Sequence, residues 1–593
     1  MSTPRGCQSR CGATGRDRKV PAFARANNAA VGPPRSRPFA RGSLPLVSDA
    51  AIRSLRRPRL NRRLPLRIAG AAARLARASS AGVLAWILAA GGFIACAVGG
   101  GDRSGGLTYY LSADPPSLDP ALSTDVQSGE MVTLLFDNLV QFDVDGQLRP
   151  GLATRWEADR SARVYTFHLR KGATFHDGRR IDAGVVRASM LRALAPGSRA
   201  GRQWPLFPIN GAREYANATA KDVPGISVPD DSTIVFTLGQ PLNIFPKFLA
   251  MPVAAVVPTP TASAFGEAPI GSGPWRFVSW SHDDALVLAR NPTYWGGPPK
   301  EDTLTVRIIP EALTQAAEYE TGQLDVVEIP FGETRRWETA HPDELQRRPT
   351  IRDLYIALNT TRGPLRDVRV RRALNLAVDV GTLLRTQMAG RGLRAAGAIP
   401  PGILGYDSTR APYAWDTAGA RRLLSEAGFP NGFKVQLWRN KREEFARIAQ
   451  SVQQDLAVLG IEVEIVERDA PAVRATVRNG GADLYLGDWY ADYPDPENFS
   501  YPLFHSSNRG PGGNYAFLVD STLDSMIVRA RSTPDTLEKA RLARAVDARV
   551  FDLAPWIFLW FPVDVWAEQP NVKGWHIPAV FTGQRWLQVA RVR

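Results

Sequence analysis

The sequence has few cysteines and histidines, and their positions limit the chemistry of the protein. Its 593 residues contain three cysteines, Cys7, Cys11 and Cys96, so the chain after residue 96 has no thiol. That absence excludes a cysteine nucleophile, a disulfide, a cysteine-ligated zinc site and an iron–sulfur cluster from this long segment. The six histidines form no metal-type pair at helical spacing.

Motifs of catalysis and nucleotide binding are missing as well. The sequence has no G-x-S-x-G nucleophile elbow and no P-loop. His176-Asp177-Gly178 is better interpreted as a turn that ends a strand than as a base–acid pair. The sequence therefore predicts a protein without catalytic residues, metal ligands or a cofactor.

Basic charge is confined to the start of the chain. The protein has 73 Lys and Arg against 58 Asp and Glu, a formal net charge of +15. Residues 1–95 hold eighteen basic and two acidic residues, which leaves 55 basic and 56 acidic residues for the rest. Because the rest is nearly neutral, no nucleic-acid partner is predicted for it.

Three segments are predicted ahead of the folded part. Residues 1–77 are rich in Arg and Pro and lack hydrophobic periodicity, which predicts either a basic leader without a packed core or a start codon assigned too far upstream. Residues 78–96 form an apolar run behind this basic flank, the layout of a secretory signal. Residues 97–106 are a glycine-rich tether.

The end of the apolar run predicts how the protein is attached. Phe93-Ile94-Ala95-Cys96 resembles a bacterial lipobox, which implies lipidation of Cys96. A plain signal peptide and an uncleaved hydrophobic anchor stay open, since the run is near the roughly 20 residues that span a bilayer. We therefore expect an exported protein, in the periplasm or on the cell surface, anchored through the Cys96 lipid or the hydrophobic segment.

Strand patterns occupy the first half of the remaining chain and its end. Residues 164–170 and 234–238 alternate apolar and polar side chains, which is typical of strands with one buried face. Strand-like aromatic segments return at residues 556–566 and 586–592.

Helices alternate with strands from about residue 355. Asp367 and Asp416 are predicted helix N-caps, each followed by an apolar stripe. A third stripe runs from Phe445 to Leu459 and stops at Gly460, and residues 461–465 then alternate as a strand. The predicted fold class is α/β.

Six phrases of the sequence resemble one known family. They are Pro116-Ser-Leu-Asp-Pro120, the run from Tyr165 to Gly178, Gly271-Ser-Gly-Pro-Trp275, Arg290-Asn-Pro-Thr-Tyr-Trp295, Asp367-Val-Arg-Val-Arg-Arg-Ala-Leu374 and Trp489-Tyr-Ala-Asp-Tyr-Pro-Asp-Pro496. In this order, over residues 107–593, they resemble the family 5 extracellular solute-binding proteins. This is the oligopeptide-, dipeptide- and nickel-binding group of ABC importers.

The resemblance implies a two-lobed periplasmic-binding-protein-like fold of the large cluster C type, with a hinge. Lobe I would comprise residues 107–354, with an inserted subdomain at about 151–255. Lobe II would comprise residues 355–565, and residues 566–593 would return to lobe I. Ligand contacts from both lobes would favour a closed state.

Asp492 is the first candidate ligand residue. It follows the strand-like run 483–486, and open α/β sheets place ligands beyond the carboxyl ends of their strands. In similar oligopeptide binders, the acid of this Ala-Asp-Tyr phrase pairs with the α-ammonium of the peptide. Trp489 and Tyr493 would desolvate that pair. The alternative is a loop aspartate bonded to its own backbone.

Aromatic and basic side chains nearby are further candidates. Trp489 and Tyr490 are expected to wall side-chain pockets or to pack in the core. Arg439 follows the strand-like run 434–438, as does a carboxylate-binding arginine in dipeptide binders. The alternative for Arg439 is a solvated charge run. Some tripeptide binders have an arginine six residues before the aspartate, where this chain has Leu486.

Two polar residues are candidate contacts to a peptide backbone from the hinge. Asn359 and Thr360 stand at the end of the strand-like run 354–358. Asn359 alternatively caps the turn that leads to Pro364.

The sequence thus predicts a lipid-anchored binding protein that captures a peptide or peptide-like ligand. It would deliver that ligand to an ABC permease, a heterodimer or a homodimer, in the membrane. Because one fold serves several ligands, a binder of nickel chelates, sugars or opines is the first alternative. A chaperone-like lipoprotein without a role in transport is the second.

Overall fold

The computed structural model describes residues 106–592. The predicted segments 1–77 and 78–96, Cys96, and the tether up to residue 105 lie outside the described residues. Within residues 106–592, no helix is long and apolar enough to cross a membrane.

The strands of the described chain are short except for one. In chain order they are β1 (Gly106–Leu111), β2 (Val140–Phe142), β3 (Leu148–Pro150), β4 (Ala153–Ala158), β5 (Val164–Leu169), β6 (Ile226–Asp230), β7 (Thr233–Thr237), β8 (Trp275–Ser281), β9 (Ala285–Arg290), β10 (Thr303–Ile308), β11 (Val326–Glu328), β12 (Leu345–Pro349), β13 (Arg352–Leu358), β14 (Gly392–Arg394), β15 (Lys434–Arg439), β16 (Glu462–Glu467), β17 (Leu484–Tyr490), β18 (Trp556–Glu568), β19 (Val572–Lys573) and β20 (Ala590–Arg591).

The α-helices are concentrated in the second half of the described chain. They are α1 (Val126–Leu135), α2 (Ala183–Leu194), α3 (Ala212–Ala216), α4 (Phe245–Phe248), α5 (Ala312–Glu320), α6 (Thr334–Ala340), α7 (Val368–Ala377), α8 (Val380–Gln387), α9 (Thr417–Glu426), α10 (Glu443–Ala457), α11 (Ala470–Arg478), α12 (Tyr501–Phe504), α13 (Ser521–Ser532) and α14 (Thr536–Leu553).

The predicted caps and periodicities account for several of these elements. Asp367 caps α7 by accepting a hydrogen bond from the backbone of Arg369 at 2.8 Å, and Asp416 caps α9 through Gly419 at 2.8 Å. The stripe predicted on α10 is buried, and Gly460, with φ of +76°, follows it. These predictions are confirmed, since capping and burial of one face are local consequences of the sequence.

Two predicted strands differ from the structure. β17 continues to Tyr490, so Trp489 and Tyr490 lie in a strand and Asp492 follows it directly. The segment 586–592 was predicted as a strand, but only Ala590–Arg591 pairs, with β19. Trp586 and Val589 are instead buried in a core beside β1 and β10, because apolar side chains find burial there without a neighbouring strand.

Three sheets of four or more strands organise residues 106–592. The first has the order β1-β10-β9-β8, and the second, within the predicted subdomain, has the order β4-β5-β7-β6. The third has the order β11-β18-β13-β17-β15-β16, with β12 and β14 also paired to β18.

Strand β18 links two parts of this third sheet. Its first residues pair with β13, and Val563–Glu568 pair with β12 and β11. The predicted lobe boundaries at 354/355 and 565/566 therefore fall inside the paired strands β13 and β18, and they stay predictions.

The core of the predicted subdomain reaches the loop after β17. Its cluster of buried side chains includes Phe167, Phe236 and Phe245, and it also takes in Ala491 and Tyr493. The residues around Asp492 are therefore held against a distant part of the chain by hydrophobic packing.

Candidate functional site

Asp492 faces an arginine from the predicted subdomain. Nη1 of Arg202 donates a hydrogen bond to Oδ1 of Asp492 at 2.8 Å, and the two side chains are 36% and 20% exposed. Burial raises the pKa of Asp492, and the positive charge of Arg202 lowers it. The pattern of a loop aspartate bonded to its own backbone is not seen in the described chain, because the carboxylate bonds to Arg202.

The loop that carries Asp492 is fixed by three further ion pairs. Asp495 is buried and accepts hydrogen bonds from Nζ of Lys247, on α4, at 2.8 Å and of Lys539, on α14, at 2.7 Å. Glu497 is buried and lies 2.8 Å from Nε of Arg531. These contacts connect the loop to both α4 and the last two long helices.

The three aromatic candidates have different roles. Tyr493 is buried, its hydroxyl donates to the carboxylate of Glu497, and its ring centroid lies 5.1 Å from that of Phe248. Nε1 of Trp489 donates to Oδ1 of Asn498 at 2.9 Å. Both side chains therefore serve the packing of the loop, which was the alternative for Trp489. Tyr490 instead lines a cavity.

This cavity, called here the aromatic cavity, encloses about 670 Å³ of empty space, part of it open to solvent. It lies among β1, α1, the end of β17, the second half of β18 and the C-terminal segment. Its aromatic lining comprises Tyr109, Tyr490, Trp566, Trp575, Phe581 and Trp586. Such a concave, mostly aromatic space with few polar groups is typical of small-molecule sites.

Two carboxylates provide the charge of the aromatic cavity. Glu130, on α1, and Asp564, on β18, both line it. Burial raises the pKa of Glu130 to about 8, and the hydroxyl of Tyr109 lies 3.4 Å from its carboxylate. Burial also raises the pKa of Asp564, which Arg352 and Arg391 lower in part.

A second, smaller cavity adjoins the first. It has about 250 Å³ of empty space and is lined by Arg202, Asp125 and apolar residues of the segment 251–253. Phe581 lines both cavities. Phe581 therefore connects the cavity lined by Arg202, the partner of Asp492, with the aromatic cavity.

The predicted hinge residues are occupied within the protein. The amide of Asn359 donates to the carbonyl oxygens of Gly480 and Ala482, both at 3.2 Å, and its oxygen accepts from Thr361. The hydroxyl of Thr360 donates to the carbonyl of Ala516 at 3.1 Å. These contacts support the alternative in which Asn359 fixes a turn.

Arg439 is buried rather than part of a solvated charge run. Its side chain is 9% exposed and pairs with Glu467, its register partner on β16, at 2.5 Å. A solvated charge is therefore wrong for Arg439, because the parallel pairing of β15 and β16 covers its guanidinium, whereas the side chain of Lys441 is 64% exposed. Leu486, in the position of the tripeptide-binding arginine, is also buried.

Sequence reasoning missed Arg202, Glu130, Asp564 and Phe581. Arg202 is 290 residues from Asp492, and no local pattern connects them. A signal for Asp564 was available, since a single acid interrupts the apolar aromatic run of β18. Within residues 106–592, no group of three or more His, Cys, Asp or Glu side chains is arranged to hold a metal ion.

Comparison with known proteins identifies the family. Residues 147–511 match the family described as bacterial extracellular solute-binding proteins, family 5 Middle. The glutathione-binding protein GsiB of Pectobacterium atrosepticum is 31% identical over 474 residues, which cover 78% of this chain and 89% of that protein.

Solved structures share the fold. The ABC transporter-associated periplasmic binding protein DppA from Helicobacter pylori, in complex with peptide STSA, is 27% identical with a TM-score of 0.70, over 82% of this chain and 98% of that one. AgaA of A. tumefaciens R10, in complex with agropinic acid, is 25% identical with a TM-score of 0.67, over 82% and 99%. These findings confirm the predicted two-lobed periplasmic-binding-protein-like α/β fold. The chain belongs to the family 5 bacterial extracellular solute-binding proteins.

Proposed function

We propose that this protein is the substrate-binding component of an ABC importer and captures peptides or peptide-like solutes. The observation that carries the proposal is the aromatic cavity next to the pair of Arg202 and Asp492, within a chain of this family. Relatives named as glutathione-binding and peptide-bound proteins support a peptide-like ligand. The captured solute would pass to a permease dimer in the membrane.

Asp492 is proposed to hold the α-ammonium of the ligand. It is a mostly buried carboxylate whose present partner is the guanidinium of Arg202. Because the Arg202 side chain is 36% exposed, it can move into water when a ligand ammonium takes its place. The guanidinium then lies near the ligand, where it can meet a carboxylate.

The catalytic role and the cellular location of the protein are proposed as well. The family consists of binding proteins rather than enzymes, and we propose that this chain catalyses no reaction. Relatives are periplasmic proteins, and we propose export followed by anchoring through Cys96 or the hydrophobic segment before it.

An opine is the second candidate ligand. AgaA, which was solved with agropinic acid, has the same fold at 25% identity. Opines carry carboxylates, and Arg202 is a cation that lines a cavity.

Native mass spectrometry of the protein, exported by a bacterial host and purified without denaturation, tests these candidates. A series of co-purified peptides is the expected result. A single opine, sugar or metal-chelate mass would contradict peptide import. Release of the bound species by acid and its fragmentation would identify the ligand in either case.

A further inference from the structure

The aromatic cavity contains acidic side chains but no basic ones. Glu130 and Asp564 line it, and none of its lining residues in the described chain is Lys, Arg or His. Each carboxylate is half-buried. A carboxylate removed from water without an ion-pair partner is unfavourable, and a bound cation would compensate for that cost.

The arginines near Asp564 are engaged with other groups. Nε of Arg352 donates to Oδ2 of Asp488 at 2.8 Å, and Arg442 shares that carboxylate at 3.2 Å. Arg391 donates to the carbonyl of Ile329 and lies 3.6 Å from Glu328. The side chain of Asp564 makes no hydrogen bond or ion pair in the described chain.

Glu130 has only a weak partner. The hydroxyl of Tyr109 lies 3.4 Å from its carboxylate, at the outer limit of a hydrogen bond. Burial raises the pKa of Glu130 to about 8. A cation in the cavity would shift both carboxyl groups back to their ionised forms, because an opposite charge favours the charged state.

Aromatic rings complete the surroundings. The ring of Tyr109 lies 5.0 Å from that of Trp586 and 6.5 Å from that of Trp566, and Trp566 lies 5.2 Å from Trp575. Faces of Trp and Tyr attract guanidinium and ammonium groups, more strongly when the site is desolvated. Two carboxylates amid such rings match a cation and repel an anion.

We propose that the aromatic cavity binds a cationic side chain of the ligand, a guanidinium or an ammonium, between Glu130 and Asp564. The inference rests on the proposed function and narrows its substrate class to peptides or peptide-like solutes that carry a basic group. Phe581 lines both the aromatic cavity and the smaller cavity that contains Arg202, the partner of Asp492, and the proposal places the α-ammonium of the same ligand at Asp492.

Matched peptide sets test this specificity. Di-, tri- and tetrapeptides of alanine with one arginine at each position are compared with the same peptides containing citrulline, the neutral isostere of arginine. Binding is followed by the fluorescence of the cavity tryptophans and by calorimetry. We expect the best arginine peptide to bind at least about tenfold more tightly than its citrulline counterpart.

Variants assign the preference to the cavity. Glu130→Gln and Asp564→Asn should each reduce the ratio of arginine to citrulline affinity to below about threefold, because each removes one charge from the cavity. Asp552→Asn, which neutralises an exposed aspartate at the end of α14, should leave the ratio unchanged. Thermal melting verifies that every variant is folded.

Three results would overturn the inference. Equal binding of arginine and citrulline peptides would overturn it and leave peptide capture intact. A preference for arginine that persists in both cavity variants would move the site elsewhere. Absence of binding by either set would exclude the cavity as a site for basic peptides, whereas native mass spectrometry decides the proposed function separately.

Discussion

Replacement of Asp495 by asparagine tests what holds the loop that carries Asp492 in place. Its carboxylate is 2% exposed and lies between the ammonium groups of Lys247 and Lys539, at 2.8 and 2.7 Å. Lys539 has a side chain that is only 10% exposed, and that of Lys247 is 27% exposed. Asparagine keeps the size of the side chain but removes the charge, so it leaves two lysines without their counter-ion.

The expected loss of stability follows from this burial. Removing one partner of a buried ion pair costs about 3–5 kcal/mol, and the partial exposure of Lys247 places Asp495→Asn near the lower end, about 3 kcal/mol. Despite burial, the two lysines hold the pKa of Asp495 below its ordinary value. A carboxylate with a lowered pKa stabilises the fold above its unfolded pKa, about 3.9, and loses this contribution as the pH falls through the folded pKa. The difference in free energy of unfolding between the wild type and Asp495→Asn should therefore decrease below about pH 4.

Urea unfolding at pH 7, followed by tryptophan fluorescence, measures the loss. Hydrogen exchange of the peptide 491–499 locates it, since the loop should exchange faster in the variant. The double variant Asp495→Asn, Lys539→Met should recover about half of the loss, because the most buried ammonium is removed. If Asp495→Asn alone lowers the free energy of unfolding by less than about 1 kcal/mol, both lysines reach water in the variant, and the reasoning is refuted.

Three further substitutions have defined outcomes. Asp492→Asn should weaken binding of the peptide found by mass spectrometry about tenfold. The affinity for the N-acetylated peptide, which is already low, should stay the same in the variant. Equal affinity of the wild type for the two peptides would contradict the α-ammonium role. The guanidinium of Arg585 lies 2.9 Å from the fully buried carboxylate of Asp137. Arg585→Met removes the cation of this pair and should lower the free energy of unfolding by about 3–5 kcal/mol in thermal melts. Gly271→Ala would place a Cβ 1.8 Å from the last carbonyl oxygen of α1 and should cost about 1–3 kcal/mol, whereas Gly332→Ala, with nothing within 4 Å, should be nearly neutral.

The sequence predicted the elements whose causes are local. The cap at Asp416 and the stripe on α10 depend on neighbours within one or two turns, and both are confirmed. The role of a polar side chain depends on distant partners, which no local pattern reveals. The sequence left it open whether Asn359 contacts a ligand or caps a turn. In the structure its amide donates hydrogen bonds to carbonyl oxygens 121 and 123 residues away.

The candidate site also depends on partners that are distant in the sequence, which local patterns do not reveal. Asp492 was found through a family phrase, but its partner Arg202 lies 290 residues away, between α2 and α3. The carboxylates Glu130 and Asp564 come from a helix and a strand more than 400 residues apart, and only folding brings them to one cavity. Charge at a site of this kind is a property of the tertiary structure.

Asp492 and the aromatic cavity are expected to contribute differently to the affinity and to the orientation of a ligand. If a ligand ammonium replaces Arg202 at Asp492, as proposed, one charge pair is exchanged for another, which limits the net gain to about the tenfold change in affinity expected for Asp492→Asn. Affinity must then come from groups that gain a partner on binding. The aromatic cavity offers this, because burying one apolar side chain or stem contributes about 1.5–3 kcal/mol and its two carboxyl groups form no ion pair within the described residues. We therefore propose that Asp492 sets the direction of the ligand and that the residues around Glu130 and Asp564 determine how tightly it is held.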